Sequence, residues 1–368
     1  MSFINSMGRA LLLLALGLLL AACNDSGTAT GGKAASSSRV FHWKMVTSWP
    51  ANFPVFQEGA EKFADDVRQM SDGRLDIHVY SARQLVGPLE VFDAVSQGTV
   101  EMGHGSAYYW AGKVPAAQFF SSVPFGMTAK GMNSWFYGGG GLKLWRDLYK
   151  PYHLVPFPMG NTGVQMGGWF NKKIQSVADL KGLKMRIPGL GGKVLAKAGG
   201  NPVLMGGGDL YTALERNTID ATEWVGPYHD LRLGLQRAAK YYYYPGWHEP
   251  GTALELIVNE GAWQQLPEDL KKIVSVSAAA TSLWMYSQFE TLNLDALKEL
   301  KEKHGVQILE FPPDVLHELH KMTDEVLQEE SAKNPDFKRI YQAYQTFRKG
   351  NDAWNRISDD AYQQALKD

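Results

Sequence analysis

The sequence predicts an α/β fold of two lobes of similar build that face each other across a ligand cleft. Three observations carry this expectation. The first part of the chain reads strand, helix, strand in its apolar pattern, a unit that builds a parallel sheet covered by helices. An eight-residue pattern also occurs twice, as A-V-S-Q-G-T-V-E over 94–101 and A-L-E-R-N-T-I-D over 213–220. Each copy ends a helix on Gly98 or Asn217, residues that tolerate a left-handed cap, and then starts a strand. Duplication, chance and a shared helix-to-strand solution all remain open for so short a match. Finally, each such strand runs into an aromatic loop, over 104–110 and 223–228. Ligands of open parallel sheets sit beyond the carboxyl ends of strands, so two such ends facing each other make a cleft.

Read in order, the chain starts with Met7-Gly8-Arg9, then small and apolar residues over 10–22, then its only cysteine, Cys23. A basic segment, an apolar run and small residues before a cleavage point describe a signal peptide over 1–22. Leu20-Ala21-Ala22-Cys23 looks like a bacterial lipobox. That likeness implies cleavage before Cys23 and lipids on its sulfur and new amino group. An ordinary signal peptide with an incidental cysteine is the alternative. A spanning helix needs about 20 apolar residues, more than this run supplies. Residues 23–39 are small, polar and patternless and read as a flexible tether.

Residues 41–46 alternate as a strand, and Phe56, Ala60, Phe63, Val67 and Met70 fall at helical spacing until Ser71-Asp72-Gly73 stops them. Leu75, Ile77 and Val79 alternate as the next strand. Residues 176–180 form a capped turn, followed by a strand over 184–187, a helix over 193–198, and strands over 202–205 and 241–244. A long helix or pair of helices covers 263–293 and extends through Leu294, Leu297 and Leu300. A strand over 306–309 precedes a helix that Pro312-Pro313 starts. In the tail, Ile340, Phe347, Trp354 and Ala361 recur every seven residues, a seam that fits the chain's own body or a second copy. Gly350 argues against one unbroken helix there.

With 37 Lys+Arg against 38 Asp+Glu, the charge balance gives no case for nucleic acid. One cysteine excludes an internal disulfide. Enzyme signatures are missing. Ser106 is flanked by His104 and Tyr108 rather than by nucleophile-elbow glycines, and the Gly138–Gly141 and Gly206–Gly208 runs lack a P-loop lysine. His317 and His320 are spaced i, i+3, not the i, i+4 of a zinc protease.

What remains is a set of polar residues in unusual surroundings. Arg186, on a strand with Met185 and Ile187 turned the other way, can hold a carboxylate through two parallel hydrogen bonds. A surface ion pair fits the same pattern. Gln165 lies among glycines in G-N-T-G-V-Q-M-G-G-W-F, which suits close ligand approach or an exposed turn. Glu223, Glu249, Gln165 and backbone carbonyls suit a hard cation such as Na⁺ or Ca²⁺, while salt bridges or helix caps would explain each glutamate separately.

These segments resemble the solute-binding proteins of tripartite ATP-independent periplasmic (TRAP) transporters, the DctP family, and most closely its 2-oxo acid and monocarboxylate branch. The stretches W-K-M-V-T-S-W-P, G-N-T-G-V-Q-M-G-G-W-F, L-K-G-L-K-M-R-I-P-G and I-D-A-T-E-W-V-G-P-Y carry the likeness. The resemblance implies a two-lobed periplasmic solute-binding fold with long connecting helices. Lobe I would span 40–160 and 252–285, lobe II 161–251 and 286–338, and a helical tail 339–368 would offer a dimer contact. By the same resemblance Arg186 clamps the substrate carboxylate and Gln165 touches ligand and cation. Glu223, the backbone oxygen of Trp224, and Glu249 complete the cation site. Tyr108 and Tyr109 form the opposing aromatic wall, and Asn161 is a ligand or hinge residue. The implied function is that of a lipid-anchored periplasmic subunit that binds a pyruvate-like acid and delivers it to small and large membrane subunits. It is not an enzyme. A lactate-like ligand, or a ligand-sensing adaptor lipoprotein using the same cleft, is the alternative.

Overall fold

The fold is that of a computed structural model describing residues 39–367; Cys23, the expected signal peptide and nearly all of the tether lie outside the described residues. The first half forms β1 (Phe41–Thr47), α1 (Phe56–Met70), β2 (Leu75–Tyr80), α2 (Val91–Ser96) and β3 (Met102–Gly105). Two 3-10 turns, Ala107–Trp110 and Pro115–Phe120, lead to α3 (Ala129–Tyr137), α4 (Gly141–Tyr149) and β4 (Leu154–Asn161). Next come β5 (Gly168–Phe170), β6 (Lys184–Arg186), α5 (Gly189–Lys197), β7 (Asn201–Val203), α6 (Leu210–Glu215), β8 (Ala221–Thr222), α7 (Pro227–Leu233) and β9 (Tyr241–Tyr244). The chain closes with β10 (Ala253–Asn259), α8 (Glu260–Gln265), α9 (Glu268–Glu302), β11 (Gln307–Glu310), α10 (Pro313–Lys333), α11 (Pro335–Ile357) and α12 (Asp359–Ala365).

Two sheets organise these elements, with strand orders β2-β1-β3-β10-β4 and β11-β9-β5-β8-β6-β7. The parallel β1–β2 pair is the one expected from the first strand–helix–strand unit. Neither sheet is wholly parallel, however. β10 runs antiparallel to β3 and β4, and β5 antiparallel to β8 and β9. Both are strands on which the chain enters one sheet directly from the other, without the crossover helix that returns a chain parallel to its neighbour.

The two copies of the repeated pattern have the same backbone geometry. Gly98 and Asn217 both adopt positive φ, 72° and 56°. The amides of Thr99 and Val100 both reach the Ala94 carbonyl, and those of Thr218 and Ile219 both reach Ala213. Each copy then feeds an interior strand, β3 or β8.

Helix α1 covers the residues that the apolar spacing marks. Its end is fixed by Asp72 and Gly73, both with positive φ. Helix α5 begins at Gly189, four residues before the expected start, because its first turn is glycine-rich and hides the apolar pattern. The long helical region is a pair broken at Leu266-Pro267, where proline can start a helix but not continue one. α9 then runs 35 residues. Its first half buries Leu270, Val274 and Ala278 in the core of the five-stranded sheet, and its second half buries Met285, Phe289 and Leu300 with residues of the six-stranded sheet. The tail seam divides. Ile340 is fully buried and Phe347 packs on the same core, whereas Trp354 and Ala361 are exposed. α11 passes through Gly350 without a break.

Strand β10 buries one carboxylate, Glu255, which accepts hydrogen bonds from Trp110 Nε1 and from Tyr149 Oη at 3.0 Å. Burial pushes its pKa up to about 8, against the pull of those two bonds. A carboxyl with a raised folded pKa stabilises the protein below its unfolded value near 4.5, and that stability is lost as pH rises through about 8. The loss is at most about 1.4 kcal/mol per pH unit across that window. Melting temperatures measured from pH 5 to 9 should therefore fall less steeply in Glu255→Gln than in the wild type. Parallel curves would refute this assignment.

Candidate functional site

Strand β6 ends on Arg186 opposite Thr222 of β8, and residues 223–226 continue beyond that strand pair. The Arg186 side chain is 1% exposed, so the surface ion pair left open by the sequence is not what forms. Its Nη1 donates to Glu223 Oε1, and a second, longer bond reaches the Glu223 carbonyl at 3.4 Å. Nε donates to the Met205 carbonyl at 3.3 Å and Nη2 to Tyr109 Oη at 3.4 Å. The guanidinium carbon lies 5.1 Å from the Trp224 ring centroid, a cation–π position. Three of these four bonds are at the weak end of the range, so the fork can exchange them for a ligand carboxylate.

A second carboxylate closes the cluster. Glu249 Oε2 accepts from Gln165 Nε2 at 2.8 Å, Thr252 Oγ1 at 2.6 Å and Tyr108 Oη at 3.3 Å. Gly246 makes this meeting feasible, since its amide donates to the Gln165 carbonyl and a Cβ there would lie 2.2 Å from that oxygen. His248 adjoins the carboxylates, its Nε2 3.5 Å from Glu223 Oε2. Glu223, His248 and Glu249 each present a ligand atom, all within 4.8 Å of one another.

The electrostatics show what this cluster lacks. Burial pushes Glu223 up to about 7, with Arg186 pulling the other way. Burial and then the Glu223 charge raise Glu249 to about 7. Burial lowers His248 to about 4, which leaves a neutral ring. Glu223 Oε2, Gln165 Oε1 and both His248 nitrogens are buried without a hydrogen-bond partner. Each unpartnered polar group costs about 1–3 kcal/mol. Two buried carboxylates with ligand atoms within 4.8 Å of each other, together with buried acceptor oxygens that lack a donor, fit a hard cation, which would neutralise the pair.

Arg186, Gln165, Glu223, Trp224, Glu249, Tyr108 and Tyr109 thus belong to one contact network. Tyr108 enters it as a hydrogen-bond donor to Glu249 rather than only as a wall. No hydrogen bond among the described residues joins Asn161 to Arg186. Asn161 accepts from the Gly163 amide at 2.9 Å and donates to the Gly251 carbonyl at 3.3 Å, joining the two chain segments that cross between the sheets. The sequence reading missed His248 and Thr252, although both flank Glu249. It also missed Trp49, whose ring lies 6.5 Å from Trp224 and 6.4 Å from Tyr109. Trp49 Nε1 donates to His104 Nδ1 at 2.7 Å, which leaves His104 Nε2 to donate to the Met159 carbonyl. At the rim, Arg83 pairs with Asp209 at 2.7 Å beside a cavity of about 170 Å³, tying the loop after β2 to the turn after β7.

Comparison with known proteins places these residues in context. The family model for "bacterial extracellular solute-binding protein, family 7" (DctP) matches residues 45–334. A monocarboxylate 2-oxoacid-binding periplasmic protein of Nostoc sp. is 45% identical over 321 residues, covering 87% of this chain and 88% of its own length. A TRAP periplasmic solute-binding protein from Pseudoalteromonas atlantica, solved with bound sodium and pyruvate, is 46% identical with a TM-score of 0.86, over 89% of this chain and 99% of its own. One from Colwellia psychrerythraea, solved with bound calcium and pyruvate, has the same identity and TM-score and covers 89% of this chain and 100% of its own.

Proposed function

The chain belongs to family 7 of the bacterial extracellular solute-binding proteins, which are receptors and not enzymes, and we propose that it captures a small 2-oxo monocarboxylate of the pyruvate class together with Na⁺ or Ca²⁺. One observation carries the proposal. A fully buried arginine pairs with Glu223, whose Oε2 has no hydrogen-bond partner, and Gln165, bonded through Nε2 to the neighbouring Glu249, has a buried Oε1 with none. A monocarboxylate and a cation complete both halves of that arrangement. The pyruvate-bound relatives, at 46% identity, support the ligand class.

In this reading Arg186 holds the carboxylate. Glu223, Glu249, Gln165 and the Trp224 carbonyl hold the cation, which supplies the positive charge that faces the acid's oxygens. Tyr109, Trp224 and Trp49 limit ligand size. The lobes are the units around the two sheets, with Asn161 clamping the hinge between them. Cys23 carries a lipid that keeps the receptor at a membrane, where TRAP membrane subunits accept its cargo. The exposed tail residues Trp354, Ile357, Tyr362 and Leu366 offer a contact for a second copy.

Native mass spectrometry of the purified protein tests the ligand assignment. It should show a retained mass equal to a small monocarboxylate plus one Na⁺ or Ca²⁺. Retention of a sugar acid or a dicarboxylate would refute it.

A further inference from the structure

The geometry points to Asp230 as the positioning residue of the cation site, an inference that rests on the reading above. Strand β8 is only two residues long and its pairing with β6 ends at the Glu223 amide, which donates to the Arg186 carbonyl at 3.2 Å, so the sheet does not itself fix residues 224–226, which carry the Trp224 carbonyl of the site. Asp230, on α7 and 1% exposed, holds them instead. Its Oδ1 accepts from the Val225 amide at 3.2 Å. Its Oδ2 accepts from Trp169 Nε1 of β5 at 3.0 Å and from Tyr242 Oη of β9 at 2.7 Å. Trp169 and Tyr242 are register partners with rings stacked at 4.0 Å, which makes a rigid base. The Val225 carbonyl in turn accepts from the Met166 amide at 3.0 Å. One carboxylate therefore sets the backbone on both sides of the site, directly after Glu223-Trp224 and, through Val225, directly after Gln165.

The three partners divide the roles. Val225 N–H and Trp169 Nε1–H can only donate, so each needs an acceptor oxygen. Asparagine has one such oxygen. If it serves Trp169 and Tyr242, the amide nitrogen faces Val225 N–H and that hold is lost. Tyr242→Phe removes a different bond and leaves Val225 held.

Protein stripped with EDTA and titrated with Ca²⁺ by calorimetry tests this. Outer-shell changes of this kind cost about 10- to 100-fold in metal affinity, so Asp230→Asn should lose that much. Tyr242→Phe should stay within about twofold of wild type. Hydrogen exchange at the Val225 amide should rise only in the Asp230 variant. If Asp230→Asn fails to fold, Asp230→Glu, which keeps the charge and shifts it by one methylene, should weaken Ca²⁺ in the same direction. Wild-type affinity in the folded Asp230 variant, or an equal loss in Tyr242→Phe, overturns this inference alone. A wild-type protein that binds neither Ca²⁺ nor Na⁺ overturns the functional reading as well.

Discussion

Arg186→Ala should weaken pyruvate binding by roughly 30-fold to several thousand-fold in a calorimetric titration. Removing one member of a buried, hydrogen-bonded charge pair costs about 2–5 kcal/mol, which is that range of affinity. The effect should be large because Arg186 is the one cation in the Arg186–Glu223–Glu249 contacts described above, the neighbouring His248 being neutral with its pKa lowered to about 4. The variant should still fold. Glu223 loses its partner, but burial has already brought its pKa to about 7, so it takes up a proton near neutral pH rather than remaining a stranded charge. Arg186→Lys keeps the charge and loses the fork, and its affinity should fall between wild type and alanine. Unchanged binding by the alanine variant would remove Arg186 from the site.

The second large effect concerns the cation. Chelation in Na⁺-free buffer should reduce pyruvate affinity of the wild type by at least about tenfold, and Ca²⁺ should restore it. Glu249→Gln removes a candidate ligand itself. Its loss of Ca²⁺ affinity should therefore exceed the roughly 10- to 100-fold typical of outer-shell changes. Pyruvate binding by that variant should be weak and indifferent to added Ca²⁺. The Glu249 carboxylate oxygen that accepts from Gln165, Thr252 and Tyr108 can be replaced by an amide oxygen, so a fall in ligand affinity without a large fall in melting temperature is the expected signature. Equal Ca²⁺ response in wild type and variant would exclude Glu249 as a ligand.

Local features of the fold were legible in the sequence because they depend on neighbours in the chain. The spacing of Phe56, Ala60, Phe63 and Val67 marks α1, and Gly98 and Asn217 mark the two left-handed caps. The directions of β5 and β10 were not legible, since they depend on where the chain crosses between sheets. In the site, Arg186, Gln165, Glu223 and Glu249 could be named from their motifs. That Arg186 pairs with Glu223 could not, because 37 positions separate them. His248 was hidden as one residue in an aromatic turn, and Asp230 as an acidic residue on a short helix. Only three-dimensional contact shows that the first faces two carboxylates and the second holds Val225.

A crystal structure of the protein grown with pyruvate and Ca²⁺ tests the central claim most directly. The account predicts Ca²⁺ at about 2.3–2.6 Å from oxygens of Glu223, Glu249 and Gln165, with the pyruvate carboxylate on the Arg186 guanidinium. Pyruvate bound away from Arg186, or Ca²⁺ bound away from these three side chains, would contradict it.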